Sequence, residues 1–125
     1  MVITNNKLVL EKYNTLNTQL IEKDLLEIMR FVRDKIHLGH KLLSHPLAGS
    51  VKPNETPFKS ILISQKKDES LDYQSLKIIE DSIQMSESLI KSKNMRKWPS
   101  RIIEDFALID LDLITSAIES AQIGG

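Results

Sequence analysis

The chain has 125 residues, 41% hydrophobic and 27% charged, a composition that fits one compact domain over residues 1–125 and argues against global disorder. Seventeen basic and seventeen acidic side chains leave no formal net charge, which removes the strong field expected of a nucleic-acid or membrane-surface binder; the lack of cysteine excludes disulfides, thiolate metal sites and cysteine nucleophiles. No apolar run approaches the roughly 20 residues that span a bilayer, and Met1 to Asn6 carry no basic leader region, so the chain reads as cytoplasmic, with neither nucleic acid nor membrane as a partner.

Val2-Ile3-Thr4 is a β-branched run that stops at Asn5-Asn6, a pair whose amides bond nearby backbone in turns and caps, and it predicts a first strand. Leu8, Val9, Lys12 and Tyr13 then follow helical spacing, for a helix of about two turns. Thr18 to Ile21 predicts a second strand. From Asp24, a fitting N-cap, the residues Leu25, Ile28, Met29, Val32 and Ile36 form one apolar stripe, and Gly39 offers the left-handed residue that ends the helix. Lys41 to His45 is a short apolar-centred run halted by Pro46, and predicts a third strand.

Pro46 to Pro57 holds three of the four prolines and reads as a stiff loop without repeating structure. Phe58 to Ser64 predicts a fourth, buried strand. A long helix starts at Ser70 or Asp72, with Leu76, Ile79, Ile83 and Ile90 on one face. Lys91 to Trp98 is a basic connector, and Pro99 suits the first turn of a last helix whose stripe is Ile102, Phe106, Ile109, Leu113 and Ala117, flanked by Ile103, Ile114 and Ile118. Residues 106–113 also alternate with a period of two, as a strand would; length and flanks favour helix. The order of elements predicts a small layered α/β fold with a mainly parallel sheet of about four strands, Rossmann-like or flavodoxin-like in order, followed by C-terminal helices.

Ligands of open parallel sheets bind in the crevice at the strand C-termini. With the first and third strands as parallel neighbours, that crevice gathers Asn5, Asn6, Ser44, His45, Ser50, Lys52, Asn54 and Glu55. Asparagine and serine side chains with free loop amides suit an anion, Lys52 supplies charge, and His45 exchanges a proton near neutral pH. Each of these residues also has a plain structural use: capping a helix, satisfying a loop carbonyl, or meeting solvent. His45 with Glu55 forms the one acid–base pairing that would make the chain a small enzyme, acting on a carboxylate or acyl phosphate. His37, His40 and His45 straddle a helix end and a strand with no cysteine beside them, so no metal site is expected. The glycine patterns of dinucleotide, phosphate-loop and serine-hydrolase sites are missing, and no cofactor is expected. Leu108 and Leu111 lie off the predicted stripe and offer a homodimer contact, while Asp110 and Asp112 give the last helix an acidic character.

Ile3-Thr4-Asn5-Asn6, the string GHKLLSHPLAGSVKPNETPFKS from Gly39 to Ser60, and Trp98 with Glu104-Asp105-Phe106 together resemble the GrdX family, small proteins associated with the glycine, sarcosine and betaine reductase systems of anaerobic bacteria. The likeness spans nearly the whole chain, and the central string is its specific part. Lys7 stands where the family pattern leads one to expect proline. The resemblance implies a setting in amino-acid reductase metabolism and brings no catalytic residues with it; joined to the reading of the loop, it makes the chain an accessory protein expected to bind a small anion or a reductase-system protein through the 44–59 loop and the Asn5-Asn6 turn.

Overall fold

The structure is a computed structural model and describes residues 1–49 and 51–124. Its elements are β1 (Val2–Thr4), α1 (Lys7–Lys12), β2 (Thr18–Leu20), α2 (Leu25–His37), β3 (Ser60–Leu62), α3 (Tyr73–Lys93) and α4 (Ser100–Gly124). The strand order is β2-β1-β3. β1 runs parallel to β2, with Thr4 opposite Leu20, and antiparallel to β3, with Thr4 opposite Ser60.

Side-chain alternation along these short strands divides the interior in two. Ile3, Ile61 and Ile63 face α2 and α3, meeting Ile28, Met29, Val32, Ile36, Ile79 and Ile83 in the larger core. Val2 and Leu62 face the other way, onto Val9 of α1 and Ile114 and Ile118 of α4. On that second face Thr4 and Ser60 replace apolar side chains at the ends of their strands, so the layer between sheet and α4 becomes polar there.

Helix boundaries follow local chemistry. Asp24 caps α2 by accepting from the Glu27 N–H at 2.9 Å, and Asp72 caps α3 by accepting from the Ser75 N–H at 3.2 Å. α2 ends in a paired turn in which Gly39 N–H donates to Ile36 O and His40 N–H to Lys35 O, with Gly39 at φ +112°. α3 presents Ser75, Ser82 and Ser86 inward among its isoleucines, and these small side chains let it lie close against α2. Pro99 O accepts from the Ile102 and Ile103 N–H groups at the head of α4, and residues 106–113 are helix throughout.

The expectation of a mainly parallel sheet of about four strands is overturned: helices make up 52% of the chain, and the sheet has three strands in a mixed arrangement, unlike a Rossmann or flavodoxin order. Lys41 to His45 does not become a strand. The Leu43 and Ser44 N–H groups both converge on Leu62 O, and the Ser44 hydroxyl, not a backbone carbonyl, receives the Leu62 N–H at 2.9 Å, leaving only an isolated bridge between Leu42 and Ile63. β3 is antiparallel because the described residues between α2 and β3 form no crossover helix, which a parallel return would require. α4 is also rotated toward one flank of its predicted stripe: Ala107 and Asp110 join the flanking Ile114 and Ile118 inside, and Ile109 is exposed.

Among the described residues, no helix is long and apolar enough to cross a membrane.

Candidate functional site

The loop between Ser44 and Lys59 is fixed to the body of the protein at several points, and the predicted site residues divide among them. Asn5 is wholly used as a tie. Its amide donates to Lys23 O at 2.9 Å and Pro57 O at 3.0 Å, and its Oδ1 accepts from the Lys59 N–H at 2.9 Å. Asn6, 1% exposed, caps α1 by accepting from the Leu8 N–H at 3.1 Å, while its Nδ2 donates to Ala107 O at 2.8 Å and to Asp110 Oδ2 at 3.1 Å. One side chain therefore joins the end of β1, the start of α1 and the middle of α4. His45 is exposed and accepts the Leu47 N–H on Nδ1 at 3.0 Å, closing a turn.

Below the loop lies a polar layer that the sequence reading did not single out. Ser60 donates to Asp110 Oδ2 at 2.7 Å, so the 2.6 Å contact between Thr4 and Ser60 has Thr4 as donor, and Thr4 Oγ1 in turn accepts the Asn6 N–H at 2.9 Å. A directed chain thus runs from the Asn6 backbone through two hydroxyls to the Asp110 carboxylate. Asp110 is 7% exposed and Lys59 9% exposed. Both line a cavity of about 10 Å³ with Phe58 and Phe106, and another of about 30 Å³ with Ser44, His45 and Ser60. A site of this size and polarity holds about one or two waters.

Burial lifts the Asp110 carboxyl above its ordinary value, outweighing the bonds from Ser60 and Asn6 and the charge of Lys59. Burial likewise lowers Lys59, against the pull of Asp110. A carboxyl raised on folding contributes stability that is complete below its unfolded pKa and is lost as pH rises through the folded one. The difference in unfolding free energy between Asp110→Asn and the wild type should therefore move in favour of the variant between about pH 4 and about pH 7 in urea titrations. A difference constant with pH would show that Asp110 titrates as a solvated carboxylate does.

Lys52, Asn54 and Glu55 lie in a different place. With Leu89, Lys93 and Arg96 they line a polar cleft of about 180 Å³ between the loop and the end of α3. The connector after α3 is fastened to the loop by the Arg96 N–H donating to Asn54 O at 2.9 Å and Trp98 Nε1–H donating to Glu55 O at 2.7 Å. Arg96 stacks 4.5 Å from the Trp98 ring, which packs against Phe106 at 5.6 Å. The basic–aromatic run is thereby the wall of a cleft. Asn54 is buried, and its Oδ1 has no partner among the described residues. Ser50, predicted to belong to the site, lies outside the described residues.

His45 and Glu55 line different cavities and share no hydrogen bond among the described residues, so the acid–base pair is not assembled in this structure. The three histidines also point apart: His40 is buried with Nδ1 2.7 Å from Ser64 O, whereas His37 and His45 are exposed.

Fold and loop together define a small α/β/α protein whose polar groups gather under and beside one proline-stiffened loop. A family model described as GrdX-like protein matches residues 1–119, and the chain belongs to that family. Comparison with curated proteins and with solved structures finds no match.

Proposed function

We propose that this protein is a cytoplasmic accessory factor of glycine reductase-type systems, including those acting on sarcosine and betaine in anaerobic bacteria, and that it binds a small anion in the cleft beside its 44–59 loop. Membership of the GrdX-like family supports the association with glycine reductase systems. The observation that carries the ligand class is the convergence of Lys52, Lys93 and Arg96 on one cleft of about 180 Å³, large enough for a phosphate or a short carboxylate. Arg96 offers a planar pair of donors, and its stacking on Trp98 limits the freedom lost on binding. Lys52 and Lys93 add charge.

A thermal-shift comparison with phosphate, acetyl phosphate, glycine, sarcosine and betaine tests this reading. A ligand present at about 100 times its dissociation constant adds roughly 2.7 kcal/mol to wild-type stability. The gain is expected to vanish in a Lys52→Ala, Arg96→Ala double variant, both positions being outside the buried core. Stabilisation that survives in the variant, or absence of stabilisation by every compound, would reject the cleft.

Docking of a reductase-system protein is the second reading. It is favoured by an apolar cavity of about 390 Å³ on the other side of the loop, lined by Leu8, Phe58, Ile103 and Leu108, the last 53% exposed. Pull-down from reductase-expressing cells with wild type and Leu108→Glu separates this from ligand binding.

A further inference from the structure

The cleft beside the loop contains a charge that a plain anion leaves unused. Glu55 lines it together with Lys52, Lys93 and Arg96, so one carboxylate stands among three cations. Glu55 is the half-buried member of the four, the others being exposed, and its backbone is fixed through both polar groups: its N–H donates to Lys52 O at 2.9 Å, and its carbonyl accepts from Trp98 Nε1–H. Arg96 is set against the same indole, stacked at 4.5 Å, with its own N–H bonded to Asn54 O. One tryptophan therefore anchors an acidic and a basic residue of the cleft. Among the described residues no ion pair joins Glu55 to Lys52, Lys93 or Arg96, so the opposite charges share the cleft without closing on each other. A ligand with only negative charge gains from the cations and loses to Glu55. A ligand that carries a carboxylate and an ammonium a few atoms apart meets both, with its N–H groups donating to the Glu55 carboxylate.

We infer that the cleft selects a small amino acid bearing a free N–H over carboxylates that lack one, and that Glu55 is the residue that sets this specificity. The inference rests on the anion cleft proposed above and names the class of its ligand. Leu89 alone among the described lining residues is apolar, so the ligand's side chain is short or absent. Glycine and sarcosine meet these terms. Betaine keeps the positive charge but its nitrogen has no hydrogen to donate, and acetate has no nitrogen at all. The carboxylate of the ligand lies among Lys52, Lys93 and Arg96, and an amine without a carboxylate is turned away by the same three cations.

The test is an N–H NMR titration of the full chain at neutral pH with glycine, betaine, acetate and phosphate, on wild type and on Glu55→Gln. The chain has a single tryptophan, so one indole resonance, that of the group bonded to Glu55, reports on the cleft. Wild type is expected to bind glycine about tenfold more tightly than acetate or betaine, the ratio given by one charge-assisted hydrogen bond at a solvated site. Glu55→Gln should weaken glycine about tenfold and bind acetate more tightly than wild type does, because the repelling carboxylate is gone. Movement of the two ligands in opposite directions supports the inference, and a misfolded variant would not produce it. Acetate or betaine binding wild type as tightly as glycine overturns it, as does a Glu55→Gln variant that weakens glycine and acetate alike. If phosphate moves the indole and neighbouring amides while glycine does not, the amino-acid selection falls and the anion cleft stands. If no compound moves them, the cleft falls and the selection with it.

Discussion

Gly39→Ala is expected to cost the protein about 3 kcal/mol or more of folding stability, the range reached when a strained backbone and a steric overlap coincide. Gly39 sits at φ +112°, which side-chain-bearing residues rarely adopt, and a Cβ there would lie 2.2 Å from Asp68 O and 3.0 Å from Asp68 N. Both obstructing atoms are backbone, and Asp68 N–H is itself bonded to Gly39 O at 2.9 Å, so the strand of chain in the way cannot simply rotate aside. A shift of Asp68 would also strain the ion pair between Lys41 and Asp68 at 3.0 Å, although that pair is half-exposed and adds little. The larger consequence is positional. Gly39 turns the chain so that His40 enters the interior and Leu42 reaches Ile63, and losing the turn disturbs the edge on which the loop depends. Urea denaturation followed by far-UV circular dichroism measures the change; a loss under about 1 kcal/mol would show that the turn relaxes without cost.

That turn was also among the most legible features of the sequence. Asp24, the stripe from Leu25 to Ile36 and Gly39 each act on neighbours within a few residues, and the helix they predict is the helix that forms. Asp72 and Pro99 mark α3 and α4 for the same reason. The three short strands are also legible in place, at Val2 to Thr4, Thr18 to Ile21 and within Phe58 to Ser64, but local signals admit a fourth that does not form. Lys41 to His45 and Phe58 to Ser64 look alike as apolar-centred runs, and only the competition for Leu62's backbone groups decides that one pairs fully and the other forms a bridge. The antiparallel sense of β3 is a property of how the long loop returns, which spacing does not encode.

The loop was legible in the sequence, and the polar layer beneath it was not. Reading α4 by its bulky residues centres the stripe on Phe106, Ile109 and Leu113 with Ile114 and Ile118 at its flank, whereas the buried face is centred on that flank and takes in Ala107 and Asp110. An aspartate at the three- and four-residue spacing of that second stripe is the signal that pointed inward, and it was hidden by the period-two alternation of Ile109 to Leu113. Lys59 sits at the edge of a run that reads as a strand, where a lysine passes for a solvated end. The meeting of Lys52 and Asn54 with Lys93 and Arg96 depends on tertiary hydrogen bonds from Arg96 and Trp98, so the loop and the basic connector appear unrelated in the sequence.

Asn6→Asp should be the most damaging isosteric change in the chain, with an expected loss of about 3 kcal/mol at neutral pH, comparable to breaking a buried hydrogen-bonded network. Aspartate caps helices as well as asparagine does, so the start of α1 is not the cause. The damage falls on α4. Asn6 Nδ2 gives one proton to Ala107 O and one to Asp110 Oδ2; a carboxylate gives neither, and places an oxygen where the donor stood, 3.1 Å from the Asp110 oxygen. Two carboxylates at that separation in a buried layer do not both ionise, and one takes up a proton at neutral pH at the expense of the folded state. The sign of the pH dependence follows: the pair binds more protons folded than unfolded, so the variant recovers stability as pH falls toward the ordinary carboxylate range and loses it as pH rises. Asn6→Ser also caps and adds no charge, but it removes the donor that helps hold Asp110 down, so it should cost less and show a weaker slope of the same sign. Thermal and urea unfolding of the three proteins at about pH 4.5 and about pH 7 distinguish these effects, because a penalty for Asn6→Asp equal at both pH values would assign it to lost donors and not to charge.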